Sequence, residues 1–416
     1  MNVSDIRGLF PGLKDTIYLN TATMCAGCTP ARQAYELALG RWSAGRFDWM
    51  EAEQAGDDAR GMFAAIIGAT AADIAIVPAV STAAGIVAAN LPPAGSGENI
   101  VVAENEFASN YYPWLLLRDR GYDVRAVAAE GDVVPAEALT RAADGGTRLI
   151  AVSAVHPVTG FRADLASLSR TAADSGAWFF VDACQAAGAV PLDVARDGVD
   201  FLATASHKFL LGSRGMGYLY VRPGLIDRLR PVVPGWKAAR LPLESFLGPD
   251  MDLSPTASKL DASLAWFPAL ADQAALAVLH RFGIGPVLER NARLALHLRN
   301  ALEAEGVSYR SFPEPHRSTI ISVPVDDPEP SWTGCAMRTW LCPSGPAAFG
   351  WLSISTISRK SWSGSQSSLR AAEPAGKRLQ PMPLTWPFGR TIILLDVWGG
   401  AMANAMEPRR EHLFCS

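Results

Sequence analysis

Short apolar runs recur along the first 330 residues, each followed by a polar turn and then by apolar positions spaced as on one face of a helix. Runs of this length, several rich in β-branched residues, predict strands buried on both faces. They fall at Ile74–Val77, Asn99–Ala103, 148–155, 178–181, 201–203 and 218–221. Amphipathic stretches at 109–120, Leu165–Ser175 and 226–229 lie between them, punctuated by Pro and Gly. The alternation predicts an α/β fold, and open sheets of that kind gather their ligands at the C-terminal ends of the strands. A further helix over 291–303 and a strand over 318–323 follow. Beyond Asp326-Asp327-Pro328-Glu329-Pro330 helix and strand spacing stops.

The chain has 416 residues, a length that suits roughly two or three domains. With 49% apolar residues, 19% charged residues and a net charge of −4, neither disorder nor a polyanion-seeking surface fits, so no nucleic-acid partner is expected. No stretch approaches the roughly 18 uninterrupted apolar residues of a membrane helix. The start, Met1-Asn2-Val3-Ser4-Asp5, does not read as a signal peptide, so a cytoplasmic protein without a membrane partner is expected. The six cysteines, at 25, 28, 184, 335, 342 and 415, form no disulfide-staple pattern. These totals combine two unlike parts. Residues 331–416 hold six of the 12 Trp and carry nine Lys and Arg against four Asp and Glu, a net charge of +5 against −9 for the rest.

Three strand ends carry chemistry. The run 178–181 delivers Asp182-Ala183-Cys184-Gln185. Asp200-Phe201-Leu202-Ala203-Thr204-Ala205 leads into Ser206-His207-Lys208 and the turn Gly212-Ser213-Arg214-Gly215-Met216-Gly217. Upstream, Ile74–Val77 ends in Ala79-Val80-Ser81-Thr82-Ala83, hydroxyls at a predicted helix N-terminus. Singly, these read as a helix cap, a solvated lysine and an N-cap. In combination they supply what pyridoxal 5'-phosphate needs: a lysine for its aldehyde, a carboxylate for its ring nitrogen and a helix N-terminus for its phosphate.

In that order and spacing the residues resemble the class V aminotransferase family of fold-type I pyridoxal-phosphate enzymes, which includes cysteine desulfurases, selenocysteine lyases, kynureninases and isopenicillin N epimerases. The resemblance runs from Tyr18-Leu19-Asn20-Thr21-Ala22-Thr23 to about Leu279. It implies an N-terminal segment 1–17 and a large cofactor-binding domain 18–265, with a mostly parallel seven-stranded sheet flanked by helices. A smaller C-terminal α/β domain would start over 266–330, ahead of an atypical tail at 331–416.

Carried onto this chain, the resemblance makes Lys208 the Schiff-base lysine and proton shuttle, pairs Asp182 with the ring nitrogen and has Gln185 donate to the ring hydroxylate. Thr82, the Ala83 backbone N–H, His207 and Ser206 would hold the phosphate. Where the family commonly has a hydroxyl, this chain has Ala205. The segment Glu104-Asn105-Glu106-Phe107-Ala108-Ser109-Asn110 resembles the loop that stacks an aromatic ring on the cofactor. In desulfurases that ring is usually His, and Phe107 keeps the stacking without the acid–base function. His156, before Pro157 where desulfurases place Asn, is either a polar contact to the cofactor or a satisfied structural histidine. Ser263, in Leu260-Asp261-Ala262-Ser263, matches the position from which a second subunit reaches the phosphate, which implies a homodimer with composite sites; a helix N-cap explains the same Ser.

The reaction is less determined. Cys335 and Cys342 do not sit in the desulfurase loop motif, Cys184 reads as a small buried residue, and Cys25 and Cys28 form a CxxC without a second pair, so no metal is expected. The first expectation is carbon–sulfur lyase chemistry, cysteine desulfurase-like, on a small amino acid. An isopenicillin N epimerase-like racemase or a transaminase is the alternative. The family's C-terminal domain supplies an arginine for the substrate carboxylate, and the tail shows no matching segment. Either the reading frame shifts near residue 330, leaving that domain incomplete, or the tail is a genuine divergent one. A chain without that arginine would bind the cofactor yet turn over weakly.

Overall fold

The computed structural model describes residues 3–325, apart from 15 and 17, together with the backbone of one strand at Ser353–Ser358. Seven strands form one sheet: β1 (Ile74–Val77), β2 (Asn99–Ala103), β3 (Asp123–Val127), β4 (Thr147–Ser153), β5 (Trp178–Asp182), β6 (Phe201–Ala205) and β7 (Gly217–Val221). Their order is β1-β7-β6-β5-β4-β2-β3. β7 runs antiparallel to both neighbours and the remaining pairs are parallel. β1, β5 and β6 therefore share a direction, and their C-terminal ends open on one edge.

The central strands are apolar along their whole length because both faces are covered. On β5, Phe179 and Val181 enter the core on one side and Phe180 enters the core on the other, all at 1% exposure or less. Each such phenylalanine contributes roughly 2–3 kcal/mol by burial. β3 was not anticipated. Its pattern Asp123-Val124-Arg125-Ala126-Val127 is that of an edge strand, where Val124 is buried and Asp123 is exposed.

The helices are α1 (Val3–Gly8), α2 (Thr29–Ser43), α3 (Trp49–Ile66), α4 (Val80–Asn90), α5 (Tyr112–Leu115), α6 (Ala136–Ala142), α7 (Leu165–Ser175), α8 (Pro223–Ile226), α9 (Trp266–Phe282) and α10 (Ile284–Ala304). Asp48 caps α3 by accepting from the Met50 and Glu51 N–H groups, and Asp164 caps α7 through Ser167. The expected helix over 109–120 is instead a chain of short turns and the four-residue α5, broken at Pro113. Helix α9 lies on α2 and α3. Leu298 and Leu302 of α10 pack with Ile321 of strand β8 (Ile320–Val325) and with Leu19 from the N-terminal segment. β8 pairs in parallel with β9 (Ser353–Ser358). This is a correction for the tail, where no strand spacing was expected; Ser-Ile-Ser-Thr-Ile-Ser carries three β-branched residues, Ile354, Thr356 and Ile357.

One buried ion pair fixes the loop before α9. Arg60 of α3 meets Asp261 at 2.6 Å with both side chains at 6% exposure or less, and Asp261 also accepts the Ile76 N–H at 2.8 Å. The Arg60 guanidinium donates further to the Ile74 carbonyl at 2.6 Å. Removing one member of such a pair leaves the other charged and desolvated. Asp261→Ala is expected to lower stability by about 3–5 kcal/mol in urea denaturation; a loss below about 1 kcal/mol would show that the pair does not hold this loop to β1.

Candidate functional site

β5 and β6 end side by side and deliver the two charged groups at the centre of the site. Asp182 closes β5, is 5% exposed, and accepts the Cys184 N–H at 2.8 Å. Burial pushes its carboxyl up to about 6, although the Cys184 N–H and the Lys208 cation pull it back. Lys208 follows β6 by three residues, and its Nζ lies 5.9 Å from the centre of the Phe107 ring. The Phe107 ring, half exposed at 52%, thus faces Lys208 rather than the core.

The two loops meet because Gly188 has no side chain. It adopts φ +83°, and a Cβ there would stand 2.5 Å from the Phe209 carbonyl oxygen, next to Lys208. The N-terminal segment closes the arrangement from above. Gln185 Nε2 donates to the Ala22 carbonyl at 3.0 Å, and the Cys25 N–H donates to the His207 carbonyl at 2.8 Å.

Thr82 and Ala83 lie in the first turn of α4, which begins at the end of β1 on the same sheet edge. Their N–H groups already donate to the Ala79 carbonyl, at 3.1 and 3.2 Å, and Ala79 offers no side-chain cap. His207 is buried beside Lys208 and Arg214. Burial first, then those two cations, push its imidazole down to about 4, so it is neutral at physiological pH. Ser206 is fully buried and turned toward Gly212 and Asp272. Ser263 is exposed, on the loop that Asp261 and the Ala262 N–H bond to Ile76 hold against β1.

His156 is a satisfied structural histidine. Its Nε2 lies 2.9 Å from the Asn105 carbonyl, and its Nδ1 accepts from the Thr159 N–H at 3.2 Å. This bond network folds the 156–160 loop, which Ser318 holds through the Gly160 carbonyl at 2.7 Å.

Two acids with inward-turned carboxyls, the half-buried Glu106 and the buried Asp272, were missed. Glu106 turns its carboxyl inward onto Ser153, accepting the Ser153 N–H at 2.6 Å. Asp272, inside the apolar run of α9, accepts from the Tyr218 hydroxyl and from the Ser213 N–H at 3.3 Å, and burial pushes it up to about 6. Gly212 fits against it only without a Cβ, which would come 1.7 Å from Asp272 Oδ1. The available signal was an acid among apolar neighbours, Ala269, Ala271, Ala275 and Leu276.

Among the described residues no group of three or more His, Cys, Asp or Glu could hold a metal ion, and no helix is long and apolar enough to cross a membrane.

The sequence model of the family described as aminotransferase class-V matches residues 37–338. A probable cysteine desulfurase of Methanothermobacter thermautotrophicus is 35% identical over 241 residues, which cover 56% of this chain and 60% of that protein. The chain spans about three-fifths of the length of this and another curated relative it matches. Among solved structures, the cystine C–S lyase C-DES in complex with its reaction product cysteine persulfide has a TM-score of 0.66 at 22% identity, covering 74% of this chain and 84% of that one. The apo cysteine desulfurase of Thermococcus onnurineus NA1 has a TM-score of 0.64 at 20% identity, covering 76% and 81%. At such identities the likeness is one of fold.

The site's own atoms fit pyridoxal 5'-phosphate. Gln185 Oε1 on the Asp182 loop and His207 Nδ1 next to Lys208 are buried without a hydrogen-bond partner among the described residues. Groups so placed call for a polar ligand. Asp182, desolvated and beside one lysine, is suited to a protonated ring nitrogen.

A carboxyl whose folded value, about 6, lies above its ordinary value of about 3.9 binds its proton more tightly in the folded state. Its contribution to stability is therefore complete below about pH 4 and is lost as pH rises through 6. For the cofactor-free protein, Asp182→Asn is expected to gain roughly 2–3 kcal/mol relative to wild type between pH 4 and pH 8. Equal pH slopes in chemical denaturation would contradict the buried carboxyl.

Proposed function

Because the chain belongs to the class V aminotransferase family of pyridoxal-phosphate enzymes, we propose that it is a carbon–sulfur lyase acting on a small sulfur-bearing amino acid, with chemistry close to that of cysteine desulfurases. The observation that carries the reading is the placement of Lys208 Nζ beside Asp182 and under the Phe107 ring.

When bound, the cofactor supplies an electron sink for the substrate Cα. Asp182 would hold its ring nitrogen protonated, Gln185 its ring hydroxylate, and Thr82 and His207 its phosphate. Ser206 would add to the phosphate site on turning from Asp272, as would the Ala83 N–H by sharing its helix bond. Lys208 Nζ would take the Cα proton and return a proton later in the cycle, because Phe107 at the stacking position can do neither. Once that proton is removed, its electron pair would become the Cα=Cβ bond as sulfur leaves with the pair of the Cβ–S bond.

The described thiols favour elimination over sulfur transfer to an enzyme cysteine. Cys25 is buried, its thiol pushed up to about 12 by burial, then by Cys28 and Asp272. Burial likewise raises Cys28 and Cys184. A sulfur acceptor needs a thiolate, which these positions disfavour. Cys335, Cys342 and any carboxylate-binding arginine of the tail lie outside the described residues.

A homodimer fits the exposed apolar residues Trp42, Leu247 and Met251 and the exposed Ser263, which a second copy would turn toward its neighbour's phosphate site.

Adding pyridoxal 5'-phosphate to wild type should produce a visible absorption band that Lys208→Ala does not form. The loaded protein, given cysteine, cystine and D- and L-amino acids, should release sulfide or persulfide together with pyruvate. Racemisation or amino transfer without sulfur release would overturn the lyase assignment in favour of the epimerase or transaminase reading, and a band with no turnover would identify a binding-competent, weakly active protein.

A further inference from the structure

Glu106, half-buried with its carboxyl turned inward, is an acid on this sheet edge that the cofactor chemistry leaves without a task. Its Oε1 accepts the Ser153 N–H at 2.6 Å, and its Oε2 lies 2.5 Å from Ser153 Oγ and 3.1 Å from Asn110 Nδ2. Ser153 is the last residue of β4 and stands opposite Asp182 in the β4–β5 ladder, where the Ala154 N–H donates to the Asp182 carbonyl at 2.8 Å. Asn110 in turn donates its N–H to the Phe107 carbonyl at 2.7 Å and accepts from Trp114 Nε1 at 3.1 Å. Trp114 is fully buried, edge-on to Phe180 of β5. The loop that presents Phe107 is thus tied on one side to the end of β4 and on the other to the sheet face.

We propose that Glu106 is a positioning residue that fastens the Phe107 loop to the last residue of β4 and, through Asp182, sets the charge felt by the cofactor ring. The proposal rests on the cofactor site described above. The groups facing Glu106 are Ser153 of β4, Asn110 of its own loop and Asp182 of β5, with Lys208 beyond Asp182. No cation among the described residues bonds to it. Two carboxyls that share a desolvated neighbourhood, as Glu106 on Ser153 and its ladder partner Asp182 do, do not both ionise at low cost. Burial first, and Asp182 in addition, push Glu106 up to about 7 against its bonds to Ser153 and Asn110. Between about 6, where Asp182 ionises, and that pH, Glu106 holds a proton and Asp182 bears the only negative charge of the pair. Above it a second negative charge arrives, Asp182 binds a proton more tightly, and its pull on a ring-nitrogen proton strengthens.

The test loads wild type, Glu106→Gln and Glu106→Ala with pyridoxal 5'-phosphate and follows visible absorbance from pH 6 to 9, alongside cofactor affinity and the melting temperature of the cofactor-free chains. Wild type should show a spectral transition with a midpoint near 7 that Glu106→Gln lacks while binding the cofactor within about threefold of wild type. Glu106→Ala, which frees the loop, should bind about tenfold more weakly or worse. The proposal is overturned if the pH profiles of wild type and Glu106→Gln coincide, or if Glu106→Ala lowers the melting temperature alone. A wild-type chain that takes up no cofactor would overturn the cofactor reading and this proposal with it.

Discussion

A carboxylate with almost no access to water stands at the end of β5, and the site is arranged around that cost. Asp182 is 5% exposed and keeps a charge only with help from the Cys184 N–H and the Lys208 cation. A buried acid without enough partners is poor for stability and good for function, because a protonated ring nitrogen supplies what the protein alone does not. The same logic extends to Glu106 and Asp272, which burial also pushes upward. Three such acids, of which Asp182 feels the Lys208 cation, make the cofactor-free protein sensitive to pH.

Geometry is imposed on these charges by close approaches between loops far apart in sequence. Gly188 lets the Asp182 loop touch Phe209, Cys25 holds the His207 carbonyl, and Gln185 reaches Ala22. Asp272 reaches the other side of the lysine loop, where Leu211 adopts φ +63° just before Gly212. A residue other than glycine in that conformation is held there by its surroundings. Lys208 is thus set by contacts from α9, the N-terminal segment and the β5 loop together, and small changes in any of them would move the amine.

Much of this was legible in the sequence where local pattern and burial agree. β1, β2, β4, β5, β6 and β7 were anticipated because strands buried on both faces read as apolar runs, and Asp182 and Lys208 stood out as polar residues just past such runs. β3 was not, since an edge strand mixes charge into its pattern, and helices α2 and α3 were passed over. The helix expected over 291–303 starts earlier, at Ile284, and the strand expected over 318–323 runs Ile320–Val325. Among the site residues, Lys208 lies beside Phe107, Asp182 and His207, and Gln185 follows Asp182 on the same loop. Ser206 is instead buried against Asp272, and Ser263 is exposed on its loop. Those outcomes depend on partners about 60 or more residues away, which no local pattern encodes. For the same reason neither Glu106 nor Asp272 stood out in the sequence: only the folded chain puts Ser153 and Tyr218 beside them.

The central claim is that Lys208, and no other lysine, is the amine that holds the cofactor. Reducing the cofactor-loaded protein with borohydride fixes that link permanently, and peptide mapping by mass spectrometry then locates the added mass. The account predicts a single modified peptide with the pyridoxyl group on Lys208. Label on a different lysine, or spread over several surface lysines in proportion to their exposure, would contradict it.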